Sequence, residues 1–388
     1  MKSNYEPLGK HIQLVDYWNS EEVTSTVLGI SIDKEFMPSV ANVIGTDLSR
    51  YKLISKGLFA CNPMHVGRDE RLPIALYEKD SPAIVSPAYF MFEIIDRDVL
   101  NEEYLMMWFR RPEFDRECWF MTDGSVRGGI TWDDLCRIKL PVPSYARQCE
   151  VVESYRAITD RIALKRAEND NLEATAMSLY KSWFIDYEPF DLDDEGLPVG
   201  WCKEKLNDKL STSTQSINPQ KMDCDFVWHY SIPAYDNEKL PSKDTPSSIL
   251  SNKYIVPQNA ILVSKLNPDT KRIWRSVPCF ENAICSTEFI VFSTKEPTHR
   301  AFYYLLFNTG SFIDFLVSNA TGSTNSRMRV KPASSLDFEF ICPPNEVIDS
   351  FCRKVEPLLQ KIEENHLEIR KLKELIPIAV AKMMSSSR

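Results

Sequence analysis

AIVSPAYFMF, from Ala83 to Phe92, lies over AICSTEFIVF, from Ala283 to Phe292, when the chain is slid along itself by 200 positions. Self-similarity at a fixed offset outranks any single motif, because it describes the layout of the whole fold. Working outward at the same offset, Tyr104-Leu105 meets Tyr304-Leu305, Arg127 meets Arg327 and Pro143 meets Pro343. Ile162, Glu168 and Leu172 then meet Ile362, Glu368 and Leu372. The alignment needs no insertion from about residue 83 to residue 183, and upstream of residue 83 the register is lost.

Around this repeat the chain alternates mixed and helical blocks. The expected boundaries are 1–143 for a first mixed module, 144–184 for a long helix, 185–195 for an acidic linker, 196–343 for a second mixed module and 344–388 for a second long helix. VLGISI and AIVSPAYFMFEII read as strand-like runs, as do Ala260–Ser264 and Phe289–Phe292, and helical stretches fall near Glu102–Phe109 and Arg300–Leu306. Both long helices space apolar residues four and three apart. The first seam contains Ile158, Ile162, Leu172 and Leu179, and the second Val355, Leu358, Ile362, Ile369, Leu372 and Ile376. Such a 3.5-residue repeat keeps one stripe against a partner helix. Polar breaks fall at Lys165, Asn169 and Asn365; a polar seam residue costs stability but fixes register. Pro357 is expected to start or kink the long part of the second helix, and Pro377 to bend its end. The fold class expected is α+β: two mixed α/β modules joined by two long helices in an antiparallel coiled coil, a pseudo-twofold internal repeat.

Composition excludes several classes. At 388 residues the chain holds two ordinary domains, and 43% hydrophobic with 26% charged residues is a globular balance. No apolar run nears the roughly 18 residues of a membrane span. The start, MKSNYEPLGKH, lacks an apolar core and cleavage site, which argues for a cytoplasmic location. Ten cysteines are scattered without a Cys-x-x-Cys, and the five histidines form no triad or metal spacing. A net charge of −9 argues at first against nucleic acid, but its distribution is uneven. Ile185–Glu195 holds six carboxylates and no cation, whereas Thr321–Pro332 carries three cations and no acid.

These features together resemble the specificity subunit of type I restriction–modification enzymes. LPVPSYARQCEVVESYRAI (140–158) is similar to that family's proline-rich exit from a recognition domain, with Gln148 at the usual glutamine position. ICPPNEVIDSFCRKVEPLLQKI (341–362) repeats the element without the glutamine. GLPVGW (196–201) and YEPLGKHIQLVD (5–16) resemble the openings of the second and first recognition domains. The resemblance implies that each mixed module reads one half of a bipartite double-stranded DNA target, with the helices setting the gap. A helix of about 33 residues spans roughly 50 Å, against roughly 34 Å for a duplex turn. It also implies two methylation subunits that bind S-adenosylmethionine, restriction subunits that use ATP and Mg, no cofactor in this chain and no catalysis by it.

Candidate DNA-reading residues follow from local chemistry. TGSTNSRMRVKP (321–332) sets hydroxyl and amide groups beside cations: Ser323, Thr324, Asn325, Arg327, Arg329 and Lys331. Arginine suits guanine's major-groove edge and asparagine suits adenine's. The counterpart is TDGSVRGGI, with Ser125 and Arg127, where Gly128 and Gly129 let the backbone come near a partner. Weaker candidates are Arg68 and Arg71, and Lys265, Lys271 and Arg272, in segments that read as loops after a strand. Arg110, Arg111 and Arg116 are as well explained by salt bridges. A flexible surface turn with solvated cations remains the plain alternative for all of these. Two other functions stay open: a standalone DNA-modifying enzyme with a duplicated domain, and a coiled-coil scaffold without DNA binding. Against the first, NPM at Asn62 and NPD at Asn267 lack the second proline and aromatic of an adenine methyltransferase, and no phosphate-binding G-x-x-x-x-G-K-[ST] occurs.

Overall fold

The computed structural model describes residues 5–39, 45–64, 66–122, 128–277, 280–322 and 327–385. The chain divides into two units, Met1–Ile162 with Lys371–Arg388, and Ala163–Arg370. Each is described by itself.

The first unit opens with β1 (Tyr5–Pro7), β2 (Ile12–Leu14), β3 (Val27–Ile30), β4 (Phe36–Pro38), β5 (Lys52–Ile54) and β6 (Phe59–Cys61). A helical turn α1 (Val66–Asp69), β7 (Ile74–Leu76), β8 (Ala83–Val85) and β9 (Phe90–Ile94) follow. Next come α2 (Glu102–Phe109), α3 (Pro112–Phe120), α4 (Trp132–Arg137), β10 (Lys139–Pro141) and the long α5 (Tyr145–Phe184). Two four-stranded sheets result, ordered β2-β9-β6-β7 and β4-β3-β8-β5. β1 pairs antiparallel with β10, so the module closes where it began. The run AIVSPAYFMFEII, continuous as a pattern, is two strands in different sheets. Ser86-Pro87 breaks it, and the Tyr89 N–H donates to Ser86 O at 3.0 Å.

The second unit contains β11 (Cys202–Lys205), α6 (Leu206–Lys209), β12 (Leu210–Ser213), β13 (Ser216–Ile217), β14 (Val227–Tyr230) and α7 (Ile232–Glu238). β15 (Ser242–Asp244), β16 (Lys253–Ile255), β17 (Ile261–Ser264), β18 (Ile273–Arg275), β19 (Ala283–Cys285) and β20 (Phe289–Thr294) follow. The unit continues with α8 (Arg300–Phe307), α9 (Gly310–Ser318), α10 (Pro332–Ser335), β21 (Glu339–Cys342) and the long α11 (Asn345–Ser385). Its sheets are β12-β20-β17-β18 and β15-β14-β19-β16-β13, and β11 pairs with β21. Strand for strand this is the first module again, with β13 added. The parallel pairing of β3 with β8 recurs as β14 with β19. The duplication therefore reaches upstream of residue 83, where the sequence register is lost.

One expectation is corrected. The offset is not 200 throughout. Phe92, Phe109 and Phe114 form a ring cluster at centroid distances of 6.3 and 4.9 Å, and its copy is Phe292, Phe307 and Phe312 at 4.7 and 4.5 Å. The offset is 200 at β9 and 198 through α2 and α3. The matches of Tyr104-Leu105 with Tyr304-Leu305 thus join residues that are not equivalent. A two-residue difference before α2 is offset by an opposite one after α3.

Helix starts follow from capping. Asn101 Oδ1 accepts from the Glu103 and Tyr104 N–H groups, Thr131 makes a capping box with Asp134, and Thr309 caps α9. Within the second unit, α5 and α11 meet around the predicted polar positions. Lys165 Nζ donates to Asn365 Oδ1 at 3.0 Å, and Asn365 Nδ2 donates to Asn169 Oδ1 at 2.8 Å and to Glu168 at 3.1 Å. Glu368 lies 3.5 Å from Lys165. Tyr180 packs on Phe351, so the two segments run antiparallel. The buried stripe departs from the predicted seam toward the second module. Leu179 and Leu358 are half-buried while Tyr180, Phe184 and Leu359 are buried. A straight helix drifts about 20° per heptad from a 3.5 repeat, which brings the next residue inward. These residues share one core with β17, β18, β20, α8 and α9. Ile362 and Ile369 are buried. Within the first unit, Ile162 is buried, Ile158, Leu372 and Ile376 are half-buried, and Val380 packs on the core containing Val151, Val152 and Tyr155. α11 runs unbroken from Asn345 through Pro357 and Pro377, so Pro357 does not start it. Among the described residues, no helix is long and apolar enough to cross a membrane.

Candidate nucleic-acid interface

In each unit the structure joins two segments that the sequence singled out separately. In the second, the β17–β18 loop carries Lys265, Lys271 and Arg272. It is stitched to the segment after α9: Val330 N–H donates to Lys265 O at 3.0 Å and Asn267 N–H to Met328 O at 2.8 Å. Thr321 and Arg329 exchange two backbone hydrogen bonds of 2.9 Å, closing the tip. In the first unit, Ile130 N–H donates to Pro63 O at 3.1 Å and Gly67 N–H to Gly128 O at 3.0 Å. Residues 328 and 330 answer to 128 and 130, so the offset of 200 is restored at this joint.

Glycine is required here for packing within the module. A Cβ at Gly129 would lie 2.8 Å from Pro63 O, and one at Gly322 would lie 2.6 Å from Arg327 O. The close approach expected toward a ligand is made toward the chain's own backbone.

Five of the candidate cations have partners within the module. Arg329 gives Nε and Nη2 to the Glu288 carboxylate at 3.0 and 3.2 Å. Arg272 does the same with Asp236 of α7 at 2.6 and 2.9 Å, and Arg68 with Asp69 at 2.6 and 2.8 Å. Each carboxylate holds its guanidinium pKa above the ordinary value. Arg71 reaches Asp33 at 3.1 Å, and Lys271 Nζ donates to Asn308 O at 3.0 Å. Desolvation by its surroundings pushes the Lys271 pKa down. Arg327 and Lys331 are exposed and Lys265 is half-buried. Exposed ion pairs such as those of Arg68 and Arg329 contribute little net free energy, so a phosphate can displace their carboxylates at little cost. A bidentate partner meanwhile orients the guanidinium plane. Arg68 is on the helical turn α1 rather than in an irregular loop. Ser125, Arg127, Ser323, Thr324 and Asn325 lie outside the described residues. Arg111 stacks over Trp108, with Glu113 at 3.2 Å, and Arg116 also pairs with Glu113, at 3.3 Å.

Residues that sequence reasoning missed support this surface from beneath. Lys34 is 4% exposed and donates to Asp115 Oδ1 at 2.6 Å and Leu72 O at 2.8 Å, while Leu72 N–H donates to Asp115 at 3.0 Å. Burial pushes the lysine down, and the Asp115 charge opposes that. The pair ties the β3–β4 turn, with Asp33, to α3 and to the segment after α1 that carries Arg71. Its only signal in the sequence was an isolated lysine between two strands, which is indistinguishable from a solvated one.

No family model matches the chain. Its sequence is 23% identical over 317 residues to the type I restriction enzyme MjaIX specificity subunit of Methanocaldococcus jannaschii, covering 75% of this chain and 70% of that protein. It is 20% identical over 328 residues to the HindI specificity subunit of Haemophilus influenzae, covering 66% and 70%. The fold is similar to the crystal structure of the type I restriction–modification S subunit from M. genitalium, with a TM-score of 0.58 and 12% identity over 98% of this chain and 95% of the other. In sequence the chain is similar to specificity subunits of type I restriction–modification enzymes, and in fold it is similar to one of known structure.

Proposed function

We propose that this chain selects the DNA sequence on which a type I restriction–modification complex acts, each mixed module reading one half of a bipartite target. The observation that carries the reading is the repeated joint. Twice in one chain, a hairpin loop with arginines or lysines is hydrogen-bonded to the segment after a short helix pair, and in the second copy that segment carries Arg327, Arg329 and Lys331. A reader of two half-sites needs the same surface twice with different side chains, which is how the two copies differ. The paired helices would set the spacer and seat two methylation subunits. S-adenosylmethionine would be bound by those subunits, ATP and Mg by restriction subunits, and chemistry would be left to both. A soluble cytoplasmic setting fits this role. With net charge −9, affinity for DNA is expected to be weak for the isolated chain and strong in the complex.

The test is to assemble the chain with its methylation subunits and map methylated adenines. The expected result is one bipartite motif with a fixed spacer. Arg327→Ala should cost about 1–3 kcal/mol at one half-site if it contacts a base edge in bidentate fashion. An equal loss on all sequences would mark a phosphate contact. Methylation by the chain alone, or no sequence preference in the complex, would overturn the proposal.

A further inference from the structure

At the end of α3, Trp119 is 43% and Phe120 86% exposed. The exposure does not come from a slack chain end. Met121 N–H donates to Glu117 O and Cys118 O, both at 3.2 Å, and Met121 packs on the core of the module. Phe120 is therefore held outward on a fixed backbone. Four residues earlier, on the same face of the helix, Arg116 is 72% exposed in its side chain. α3 packs beside α1, which carries Arg68, and the chain after α3 leads into the Gly128–Ile130 joint. An exposed aromatic ring one helical turn from the Arg116 guanidinium, on the helix that packs beside α1, fits a partner with phosphates and flat apolar bases.

The second module gives an internal control. With the offset of 198 that the ring clusters establish, Arg116 answers to Asp314 and Phe120 to Ser318, whose hydroxyl donates to Phe315 O at 2.9 Å. An acid and a hydroxyl turned back on its own helix offer nothing to a polyanion. A site for a protein bound alike by both copies would keep the same chemistry on both.

We infer that Phe120, with Arg116 beside it, makes an apolar contact to a base of the half-site read by the first module and determines specificity there. This rests on the DNA-reading function proposed above. Apolar contact with a thymine methyl, or insertion beside a base step, is the chemistry available to such a ring. The second module has no counterpart and reads its half-site without one.

The experiment uses the assembled methylation complex with wild-type chain, Phe120→Ala and Phe120→Leu, and maps methylated adenines while measuring rates and the amount of complex formed. With its ring in solvent, either variant should fold as wild type, which thermal unfolding checks. Phe120→Ala should slow methylation of the native target by about tenfold to a hundredfold and relax one base position in one half-site only. Phe120→Leu should recover part of the rate. An unchanged motif and rate would overturn the inference and leave the DNA-reading proposal standing. A fall in the amount of complex, with the motif unchanged, would also overturn it, because the ring would then dock a protein. If the wild-type complex shows no bipartite motif, both fall together.

Discussion

The two modules grip their long helices at the same place with opposite chemistry. In the first unit, Arg156 of α5 pairs with Glu103 at the start of α2. In the second, the residue answering to Arg156 is Glu356 of α11, and it faces cations. Arg275 Nη2 donates to Glu356 at 2.6 Å, and Arg300, at the start of α8, lies 3.8 Å from it. The polarity is reversed and the setting has changed. Arg156 keeps 57% of its side chain exposed, whereas Arg275 and Arg300 keep 5% and 6%. Glu363 completes the buried group, 3.2 Å from Arg275 Nε without hydrogen-bond alignment. Burial pushes Glu363 up and, with the Arg275 charge, lowers Arg300 to about 10.

A second difference sits about two turns away. Gln148 of α5 is fully buried: its Oε1 accepts from the Asn101 N–H at 2.9 Å, and its Nε2 donates to Val99 O at 2.8 Å and Pro143 O at 2.9 Å. The same position of α11 is Ile348, also fully buried, and the neighbouring Asp349 reaches His299 at 3.1 Å. One architecture is fixed once by a buried neutral amide with an exposed ion pair, and once by buried charge. A neutral amide demands little of its surroundings, while a buried ion must find partners for every charge or lose several kcal/mol.

The largest effect is therefore expected in the second unit. Glu356→Arg sets a third cation between Arg275 and Arg300, and should cost about 3–5 kcal/mol. Urea unfolding followed by hydrogen exchange should place the loss in residues 163–370. A loss below about 1 kcal/mol would show the cluster to be solvated. Gln148→Leu is next. It leaves the half-buried Asn101 N–H and the Val99 and Pro143 carbonyls without their amide partner, at an expected cost of about 1–3 kcal/mol felt in the first unit. If that variant is as stable as wild type, water replaces the amide and the contrast with Ile348 is one of sequence only.

How much of this was legible in advance varied with the kind of interaction. Strand character at Ala83–Phe92 and Phe289–Phe292 was readable because apolar runs are local signals, but the break at Ser86-Pro87 that sends the first run into two sheets was not read. The polar breaks Lys165, Asn169 and Asn365 were readable as interruptions of a period, and they meet each other. The 198-residue register was hidden by the coincidence of two Tyr-Leu pairs, since identity carries no information about which face a residue occupies. Among the candidate site residues, the cations stood out by composition. Asp69 is Arg68's own neighbour in the chain, but the partners Asp33, Asp236 and Glu288 stand far along the sequence from their arginines, and only folding brings them near. The docking charges were hidden for the same reason: Arg275, Arg300 and Glu363 read as ordinary surface residues until the fold buries them.

The smallest effect sharpens the comparison most. Arg156→Glu reverses charge at the first module's copy of the contact and faces the new carboxylate to Glu103. Because Arg156 is more than half exposed, water and salt screen both the lost attraction and the new repulsion, so the expected cost stays under about 1 kcal/mol. It should shrink further as salt is raised from low to high concentration. Glu356→Arg, at the equivalent position of α11, should show far less salt dependence, since buried charges are poorly screened. If the two reversals instead cost the same at every salt concentration, burial is not what separates the docks, and the balance of partner charges around each position must be.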